Sequence, residues 1–450
     1  MDPGAAESRG GEASRPRRGE ELELEVESLA QGGRGVARAN GYVVFVAGGL
    51  PGDRVRARLV KAKRHYAEAS AIELVRPSAE RVPDRCEHGG EPCPGAPWQG
   101  LTYEHQLEHK SAQVDEALRR LGGLDRFELE PIEAAPEGWR YRNKLEYSFG
   151  AGDDQLVLGF HRRGSWREVV DIDDCKLASE ANNAARNRVR EWARAEAIPA
   201  YDRGERAGVL RNLVVRDSAR TGQVQTRLVS SAAQFPRPPV DLHTVVEGPG
   251  GGTDGSTGVL GAEYLTEELA GLRFRISPAA FFQTNTFMAE RLYAIAADYA
   301  ALGGTERIFD LYSGIGTIAL ILARGAGEVW GLEAVPEAVA DAADNARLNG
   351  IDNARFVAAE ARLGLRPLIE QAGQPDVVIL DPPRAGLSSK VVRRVIECGA
   401  RRIVYVSCNP TTLAPNAAQL ADAGYTLRRV RPVDMFPQTP HVECVALLER

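Results

Sequence analysis

Cys408 is the residue of this chain whose type and position best suit covalent chemistry. It follows an apolar run at 403–406 and stands in the segment Ser407–Pro410. Such a run predicts a buried strand, which places this cysteine at the strand's carboxyl end. A thiolate is a soft and reversible nucleophile, although most cysteine thiols in proteins are simply small buried groups. We keep that second interpretation for Cys398, in a helix pattern, and for Cys444, inside an apolar strand.

Glu443 is the candidate for a general base. It is a lone acid at the start of the apolar run at 442–448. A thiolate that adds to an unsaturated ring needs a separate base when a ring proton must later be removed. The pKa of an unperturbed thiol is about 8.5, so the site must favour the thiolate or take its proton during the attack. The alternative for Glu443 is a solvent-facing position on the strand.

A glycine-rich turn predicts a ligand site. An apolar strand at 308–312 runs into Ser313–Thr317, which holds two glycines, and a helix pattern follows at 318–323. Glycines in such a turn let the backbone approach a ligand closely. The next strand ends at Glu333, about 20 residues beyond the turn, where an acid can bind ribose hydroxyls. The turn and the acid together favour a nucleoside ligand, and the alternative for Glu333 is an acid near a helix N-cap.

Asp381 ends a further buried strand, at 377–380, and two prolines and Arg384 follow it. This segment puts a carboxylate and a rigid stretch of backbone at the crevice in which such sheets bind ligands. Dehydrogenases do not require this element, so it argues against a dinucleotide site. Glu360, after the third strand, is open to two interpretations: a contact to an adenine ring or a surface acid of a helix.

Strands and helices alternate from Arg275 onward at the spacing of βαβ units. This spacing predicts an α/β domain of Rossmann type, a parallel sheet with helices on both faces. The carboxyl ends of parallel strands meet at one edge of a sheet. That edge would collect Asp310, Glu333, Asp381 and Cys408.

The chain has 450 residues, too many for one ordinary domain. We expect a disordered tail at 1–20, a small β-barrel at 21–77, a central α+β domain at 78–275 and the α/β domain at 276–450. A glycine-rich loop is expected at 248–258. One strand of the barrel carries alternating arginines and is followed by further cations, namely Arg54, Arg56, Arg58, Lys61, Lys63 and Arg64. A barrel with a basic face is a common platform for single-stranded RNA, and the alternative is a solvated strand face.

Composition excludes several classes of protein. Hydrophobic residues make up 43% and charged residues 26%, the balance of a soluble globular protein. No apolar run approaches the ~20 residues of a membrane span, and the N-terminal segment lacks the apolar core of a secretion signal. We therefore expect a cytoplasmic monomer with reduced cysteines and no membrane partner. The net charge of −6 does not exclude RNA, because attraction to phosphate is local.

These segments resemble the RNA uridine C5-methyltransferase family, in order along nearly the whole chain. The most specific matches are Phe281–Asn285, Asp310–Gly316, Asp381–Arg384, Ser407–Pro410 and Asp434–Glu443. The resemblance implies a TRAM (OB-like) barrel, a central domain and a class I methyltransferase domain. It implies methylation of uracil carbon 5 in RNA with S-adenosylmethionine, and it favours 23S ribosomal RNA. Transfer RNA, and an inactive RNA-binding or assembly factor, are the alternatives.

The resemblance also implies residue roles. Contacts to S-adenosylmethionine are assigned to Gln283, Tyr312, Glu333 and Asp381, with Glu360 as a further candidate. Cys408 would attack carbon 6 of the uracil, and Glu443 would remove the proton from carbon 5. Arg142 and Lys144 would lie near RNA.

A cysteine motif departs from the family pattern, which has four cysteines for a [4Fe–4S] cluster. Cys86, Cys93 and Cys175 match three of the ligands, but Ala96 stands where another cysteine is expected. Three interpretations stay open. The chain holds a cluster with one iron open or with a substitute such as His88 or His105, it holds zinc on three cysteines and a histidine, or the loop has lost its metal.

Overall fold

The computed structural model describes residues 17–88, 90–162, 164–247 and 257–450. Residues 1–16 of the expected tail and residues 248–256 of the expected glycine-rich loop lie outside these ranges. Within them, no helix is long and apolar enough to cross a membrane. The chain divides into two compact units. The first comprises the residues up to Arg85 with Gly95–His109 and Gln438–Pro440, and the second comprises Cys86–Pro94, Lys110–Pro437 and His441–Arg450.

The first unit contains a closed barrel of five strands in the order β1-β2-β3-β5-β4. Its strands are β1 (Glu21–Leu29), β2 (Gly35–Ala39), β3 (Tyr42–Ala47), β4 (Arg54–Ala62) and β5 (Tyr66–Arg76). Buried apolar and exposed charged side chains alternate along β4, as the sequence predicts. Inward residues such as Leu24, Val44 and Val55 form the barrel core. The predicted barrel is confirmed.

The outer face of β4 differs from the basic face that the sequence predicts. Each of its three arginines pairs with a glutamate of a neighbouring strand, in the pairs Arg54–Glu23, Arg56–Glu73 and Arg58–Glu21. The charges compensate because β1 and β5 flank β4 in the barrel and bring their own alternating acids to the same face. Lys61 pairs with Glu68 in the same way. Lys63 and Arg64, in the turn after β4, are exposed and have no acidic partner among the described residues.

The elements between the barrel and residue 276 form the central part of the chain. They are β6 (Glu87–His88), β7 (Glu91–Pro92), α1 (Tyr103–Glu116), a π-helical turn (Ala117–Leu121), β8 (Glu128–Leu129), β9 (Lys144–Ala151), β10 (Leu156–His161), β11 (Val169–Asp171), α2 (Glu180–Ala195), β12 (Leu210–Asp217), β13 (Val224–Ser230), β14 (Leu242–Val246), β15 (Gly258–Leu260), β16 (Leu265–Leu269) and β17 (Leu272–Ile276). Strands β9 to β15 make a seven-stranded sheet in the order β11-β10-β9-β12-β13-β14-β15. Helix α2 packs on this sheet and is capped by the Ser179 hydroxyl, which accepts from the Asn182 amide.

The remaining elements alternate between helix and strand up to β22. They are α3 (Thr286–Ala300), β18 (Arg307–Leu311), α4 (Thr317–Ala323), β19 (Glu328–Glu333), α5 (Pro336–Leu348), β20 (Ala354–Ala358), α6 (Ala361–Ala372), β21 (Val377–Leu380), α7 (Ser389–Cys398), β22 (Arg402–Ser407), α8 (Pro410–Asp422), β23 (Thr426–Val433) and β24 (Glu443–Glu449). They build a sheet in the order β20-β19-β18-β21-β22-β24-β23-β8. Strands β18 to β22 are parallel, and β24 is antiparallel to β22.

The inner parallel strands β18, β19, β21 and β22 are mostly buried, as a sheet covered by helices on both faces requires, and every residue of β21 is buried. The edge strand β20 is more accessible. Successive strands are added to the sheet on one side of β18 up to β20 and on its other side from β21 onward, so β18 is the point where the strand order reverses. The crevice at the carboxyl ends of the strands beside such a switch point is where α/β sheets bind ligands. The predicted α/β fold is confirmed.

Candidate active site

The register of the sheet brings the predicted residues to one edge. Leu311 of β18 pairs with Leu332 of β19 and with Leu380 of β21. The residues that follow these strands therefore leave the sheet side by side. They are Tyr312, Glu333 at the tip of β19, Asp381, and Cys408 after β22.

Glu443 reaches the same edge from the opposite direction. Strand β24 runs antiparallel to β22, and Ser407 at the end of β22 faces Cys444 near the start of β24. The antiparallel pairing therefore sets Glu443 next to Cys408, although the two residues are far apart in sequence. Glu443 belongs to the electrostatic surroundings of Cys408, and Asp381 and Arg384 act on both residues.

The turn after β18 is held in a left-handed conformation. Tyr312 has a φ of 67° and Gly314 a φ of 53°. A side chain at Gly314 would meet nothing within 4 Å, so this turn borders open space. The Glu333 carboxylate accepts from the amide of Gly314 at 3.0 Å and from the amide of Val335 at 3.0 Å. The acid at the tip of β19 is thus fixed against the turn, as the nucleoside-site prediction requires.

One buried acid, Asp310, and one partly buried acid, Asp381, line the edge beside this turn. Asp310 is 1% exposed, and burial, then Asp381 and Glu333, raise the pKa of its carboxyl well above the usual value. Burial also raises the pKa of Asp381 to about 7. Carboxyl groups gathered in a dry site without a cation tend to stay protonated. The same groups would complement a cationic ligand.

Gln283 stands at the side of this acidic edge. It is buried, and its side chain bonds with Tyr293, whose own surroundings include Asp381 and Asp310. Asn143 donates to the Gln283 carbonyl oxygen at 3.0 Å. The structure therefore places Gln283 with Asp310 and Asp381, close to the predicted cofactor edge.

Two predicted cofactor residues are more accessible. Tyr312 is half-buried, and burial followed by Glu333 raises the pKa of its hydroxyl. Glu360 is exposed just beyond β20, where its backbone carbonyl accepts from the amides of Leu363 and Gly364. The carboxylate of Glu360 is not part of the buried acidic group, so either of its two interpretations stands.

Cys408 is the accessible thiol of the chain. All six cysteines lie in the described ranges, and Cys408 alone is not buried. Burial raises the pKa of its thiol to about 12, Glu443 and Asp381 add to this effect, and Arg384 opposes it. Arg384 is therefore the neighbouring group that favours the thiolate.

Glu443 is nearly inaccessible at 4% exposure. Burial, followed by Asp381, raises the pKa of its carboxyl to about 8, and Arg384 acts in the opposite direction. A general base works best when its pKa is close to the operating pH. Glu443 meets this condition, and it is not the solvent-facing strand residue that the sequence left as the alternative.

Arg384 and His441 were not assigned a role from the sequence. Arg384 Nη2 lies 3.3 Å from His441 Nδ1, and both flank the Cys408–Glu443 pair. Burial and the cations Arg384, Arg142 and Lys110 lower the pKa of His441 to about 4, so this imidazole is neutral. The sequence feature that could have pointed to Arg384 is its position directly after Pro382 and Pro383.

The loop before β24 is anchored by a buried ion pair. Lys110 donates to the Asp434 carboxylate at 2.5 Å and to the Phe436 carbonyl at 3.0 Å, and neither charged side chain is exposed. The Tyr141 hydroxyl donates to the Pro437 carbonyl at 2.9 Å. These bonds fix the loop that leads to Glu443.

Arg142 and Lys144 lie on the central part of the chain. The Arg142 guanidinium sits 5.8 Å from the centre of the Phe436 ring, so this residue borders the same loop. Lys144 lies beside Arg216 and Arg227, and burial followed by Arg216 lowers the pKa of its ammonium to about 8. Lys144 therefore has two arginines as neighbours, whereas Arg142 borders the loop that contains Phe436.

The cysteine motif forms a tight group with a histidine. His88 Nε2 is 3.7 Å from Cys86 Sγ and 3.8 Å from Cys93 Sγ, and all three residues are buried. Cys175 is also buried and lies within electrostatic reach of Cys86.

The two other residues of the motif do not contribute ligand atoms to this group. Ala96 is buried and has no side-chain donor. The His105 ring lies 3.1 Å from the Thr102 hydroxyl and 3.6 Å from Glu80. Of the two substitutes that the sequence allowed, the structure brings His88 to the cysteines.

Two family models match the chain. Residues 253–450 match tRNA (uracil-5-)-methyltransferase, and residues 15–72 match the TRAM domain. Relatives of nearly the same length are uncharacterized RNA methyltransferases. One from Halalkalibacterium halodurans is 34% identical over 95% of this chain and 96% of its own length. One from Porphyromonas gingivalis is 38% identical over 95% of this chain and 99% of its own length.

A solved structure also resembles the whole chain. It is the tRNA (uracil-54, C5)-methyltransferase of Pyrococcus abyssi in complex with S-adenosyl-L-homocysteine, with a TM-score of 0.78 and 29% identity. The match covers 95% of this chain and 100% of that protein. These similarities extend over both compact units, and this chain therefore belongs to the S-adenosylmethionine-dependent RNA uracil-5-methyltransferase family.

Proposed function

We propose that this protein methylates carbon 5 of a uracil in RNA through a covalent adduct on Cys408, with Glu443 as the base. One observation carries the proposal. The chain's accessible thiol and a buried carboxyl with a pKa of about 8 lie side by side where β22 ends and β24 begins. A nucleophile and a separate base are the two groups that the reaction needs.

The chemistry explains both residues. Carbon 5 of uracil is a weak nucleophile in the intact ring. When the Cys408 sulfur bonds to carbon 6, the ring becomes an enolate with negative charge at carbon 5. Carbon 5 then attacks the methyl group of a sulfonium donor, whose methyl–sulfur bond breaks and leaves its electron pair on the sulfur. Glu443 next removes the carbon-5 proton, and the electron pair of that C–H bond restores the ring double bond. The carbon 6–sulfur bond breaks, and its electrons return to Cys408 as a thiolate.

The thiol must lose its proton before or during the attack. Because the Cys408 thiol has a pKa of about 12, the thiolate is scarce at neutral pH in the RNA-free site. Arg384 opposes the acids around the sulfur and stabilises the negative charge. Its hydrogen bond with the neutral His441 ring holds it in place.

The cofactor is S-adenosylmethionine, which supplies an electrophilic methyl group on a positively charged sulfur. The acidic edge fits it, because neither the buried Asp310 nor the partly buried Asp381 forms an ion pair with any residue that the structure describes, and the turn at Gly314 borders open space. We assign its binding to the predicted residues Gln283, Tyr312, Glu333 and Asp381, with Glu360 as a further contact.

Cofactor binding should depend on pH. Asp381 has a pKa of about 7, so it is mostly protonated at pH 6 and mostly ionised at pH 8, when it can attract a cation. We expect the affinity for S-adenosylmethionine to rise about tenfold over this interval, because one proton must leave the site. S-adenosyl-L-homocysteine lacks the positive sulfur and should show a smaller rise. Titration calorimetry at both pH values measures each affinity.

The control for this prediction is Asp381→Asn, which cannot ionise and should remove most of the difference between the two ligands. An equal pH response of both ligands in the unaltered protein would contradict the assigned role of Asp381.

The proposal also specifies which RNA is methylated. We favour 23S ribosomal RNA, because in the family that the sequence resembles the TRAM domain is associated with enzymes that act on ribosomal RNA. Transfer RNA is the alternative, favoured by the Pyrococcus abyssi protein, whose name specifies a transfer RNA uridine. Deleting the gene and mapping 5-methyluridine in separated ribosomal and transfer RNA distinguishes them. We expect one 23S uridine to lose its methyl group, and the purified protein to restore it.

Each other outcome of this mapping has a defined meaning. Loss of methylation in transfer RNA alone would replace the ribosomal assignment and keep the reaction. Unchanged methylation in every RNA would favour an RNA-binding or assembly factor.

A further inference from the structure

A hairpin brings Cys86, His88 and Cys93 together. Strands β6 and β7 pair antiparallel, with Glu87 opposite Pro92. Because Cys86 precedes β6 and Cys93 follows β7, the two cysteines lie across from each other, and the Cys93 amide donates to the Cys86 carbonyl at 3.3 Å. The hairpin therefore fixes the separation of the two sulfur atoms before any metal is considered.

The spacing of the donor atoms fits one metal ion. His88 Nε2 is 3.7 Å and 3.8 Å from the two sulfur atoms, and the three donor atoms all lie within 4.8 Å of one another. Tetrahedral zinc has Zn–S bonds of about 2.3 Å and Zn–N bonds of about 2.0 Å, which put sulfur and nitrogen ligands roughly 3.6 Å apart. The observed distances are close to that value.

A four-iron cluster fits these distances poorly. Each of its ligands binds a different iron, so the ligand atoms surround a cube and are separated by iron and sulfide atoms. Donor atoms close enough to contact each other leave no room for that cube. The fourth cysteine of the family pattern is also missing, because Ala96 stands at its position.

The geometry points to a single zinc ion bound by Cys86, His88 and Cys93, with Cys175 as the fourth ligand. His88 is 7% exposed, and its Nε2 is the ring nitrogen that faces the two sulfur atoms. The ring is stacked on Phe160 with centroids 5.8 Å apart, which holds its plane.

Cys175 is the remaining cysteine near the hairpin. The amide of the next residue, Lys176, donates to the Cys86 sulfur, so the segment after β11 lies against the group. The Cys175 sulfur itself accepts from the amides of Leu177 and Ala178. Cys175 lies outside the tight trio, so binding of one ion by all four residues requires this segment to move toward the hairpin.

Metal analysis of the full-length protein tests the inference, which does not rest on the proposed methylation. The protein is purified anaerobically without added metal, and zinc and iron are measured per chain together with the visible absorbance. We expect about one zinc per chain and no broad iron–sulfur absorption band. Removal of zinc with a chelator should lower the Tm, because the metal binds the folded state only.

Variants identify the ligands. His88→Gln should lose most of the zinc, whereas the matched control His105→Gln should keep it. Cobalt added to the metal-depleted protein should give the visible spectrum of a tetrahedral thiolate site, and Cys175→Ser should shift that spectrum.

Several results would overturn the zinc site. Two of them are three or four irons per chain with an iron–sulfur absorption band, and a wild-type protein that takes up no zinc during dialysis against a zinc solution. The others are a Cys86–Cys93 disulfide in the purified protein and an equal loss of zinc in His88→Gln and His105→Gln. An unchanged cobalt spectrum in Cys175→Ser would remove Cys175 from the ligand set. The metal content of the wild-type protein decides the case even if His88→Gln fails to fold.

Discussion

Replacing Cys408 with alanine is expected to abolish methyl transfer to RNA and to leave binding of S-adenosylmethionine unchanged. Without the sulfur, carbon 5 of uracil stays part of a conjugated ring and cannot attack the methyl group. Loss of the nucleophile should lower the rate of transfer by on the order of 10⁴-fold or more. Cofactor binding should survive, because Glu333 and Asp381 lie at the ends of other strands and Gln283 lies in the loop before α3.

RNA that carries 5-fluorouridine at the target position gives the sharper measurement. Fluorine replaces the proton that Glu443 would remove, so elimination stops and the Cys408 adduct persists. Denaturing electrophoresis should show a protein–RNA band for the unaltered chain and none for Cys408→Ala. Mass spectrometry of the band should place the RNA on the peptide that contains Cys408.

Cys398→Ala is the matched control, because this cysteine is buried at the end of α7, where it donates to the Arg394 carbonyl. It should keep the adduct and the activity at a modest cost in stability. A persistent adduct in Cys408→Ala, or transfer at the unaltered rate, would show that another group attacks the ring.

The sequence predicted which residues lie at the edge of the sheet, because the end of a strand is a local feature of the sequence. Apolar runs that stop at an acid or a cysteine located Asp381 and Cys408 directly after β21 and β22. The order of the strands was not needed, since parallel strands end at one edge whatever their order. The antiparallel β24 brings Glu443 to the same edge, and here the family resemblance supplied what the pattern alone left open.

Interactions between distant segments could not be predicted. Arg384 and His441 are 57 positions apart, and only the packed structure shows their hydrogen bond. The arginines of β4 suggested a basic face because a single strand does not reveal the charges of its neighbours. In the barrel, Glu21, Glu23 and Glu73 compensate them.

The electrostatic state of the site also follows from packing. Isolated aspartates and glutamates ionise at about pH 4, and sequence alone gives no reason to expect otherwise. Burial at the sheet edge raises the pKa of Asp381 to about 7 and of Glu443 to about 8. Both groups therefore change their charge near neutral pH, where a cationic cofactor and a proton transfer can use that change.

Replacing Glu443 with glutamine is expected to trap the covalent adduct on ordinary RNA. Glutamine has nearly the same shape but cannot take a proton, so the methylated intermediate keeps its carbon-5 proton and cannot expel Cys408. Turnover should fall by about 10²–10⁴-fold, the usual contribution of a general base. The natural uracil would then behave as 5-fluorouridine does in the unaltered protein, which separates the role of Glu443 from that of Cys408.

The pH dependence tests the same role. Glu443 must be ionised to accept the proton, and its pKa is raised to about 8, so release of the adduct should speed up as the pH rises toward 8 and level off above it. In Glu443→Gln this rise should be absent. Single-turnover reactions that are quenched at intervals measure the formation and the decay of the adduct separately.

Glu449→Gln is the matched control, since Glu449 ends the same strand and pairs with Arg402 at the opposite edge of the sheet. It should form and release the adduct as the unaltered chain does. If Glu443→Gln formed no adduct at all, Glu443 would instead be needed to deprotonate the Cys408 thiol. If it turned over at the unaltered rate, another acid at this edge would be the base, and Asp381 would be the first to examine.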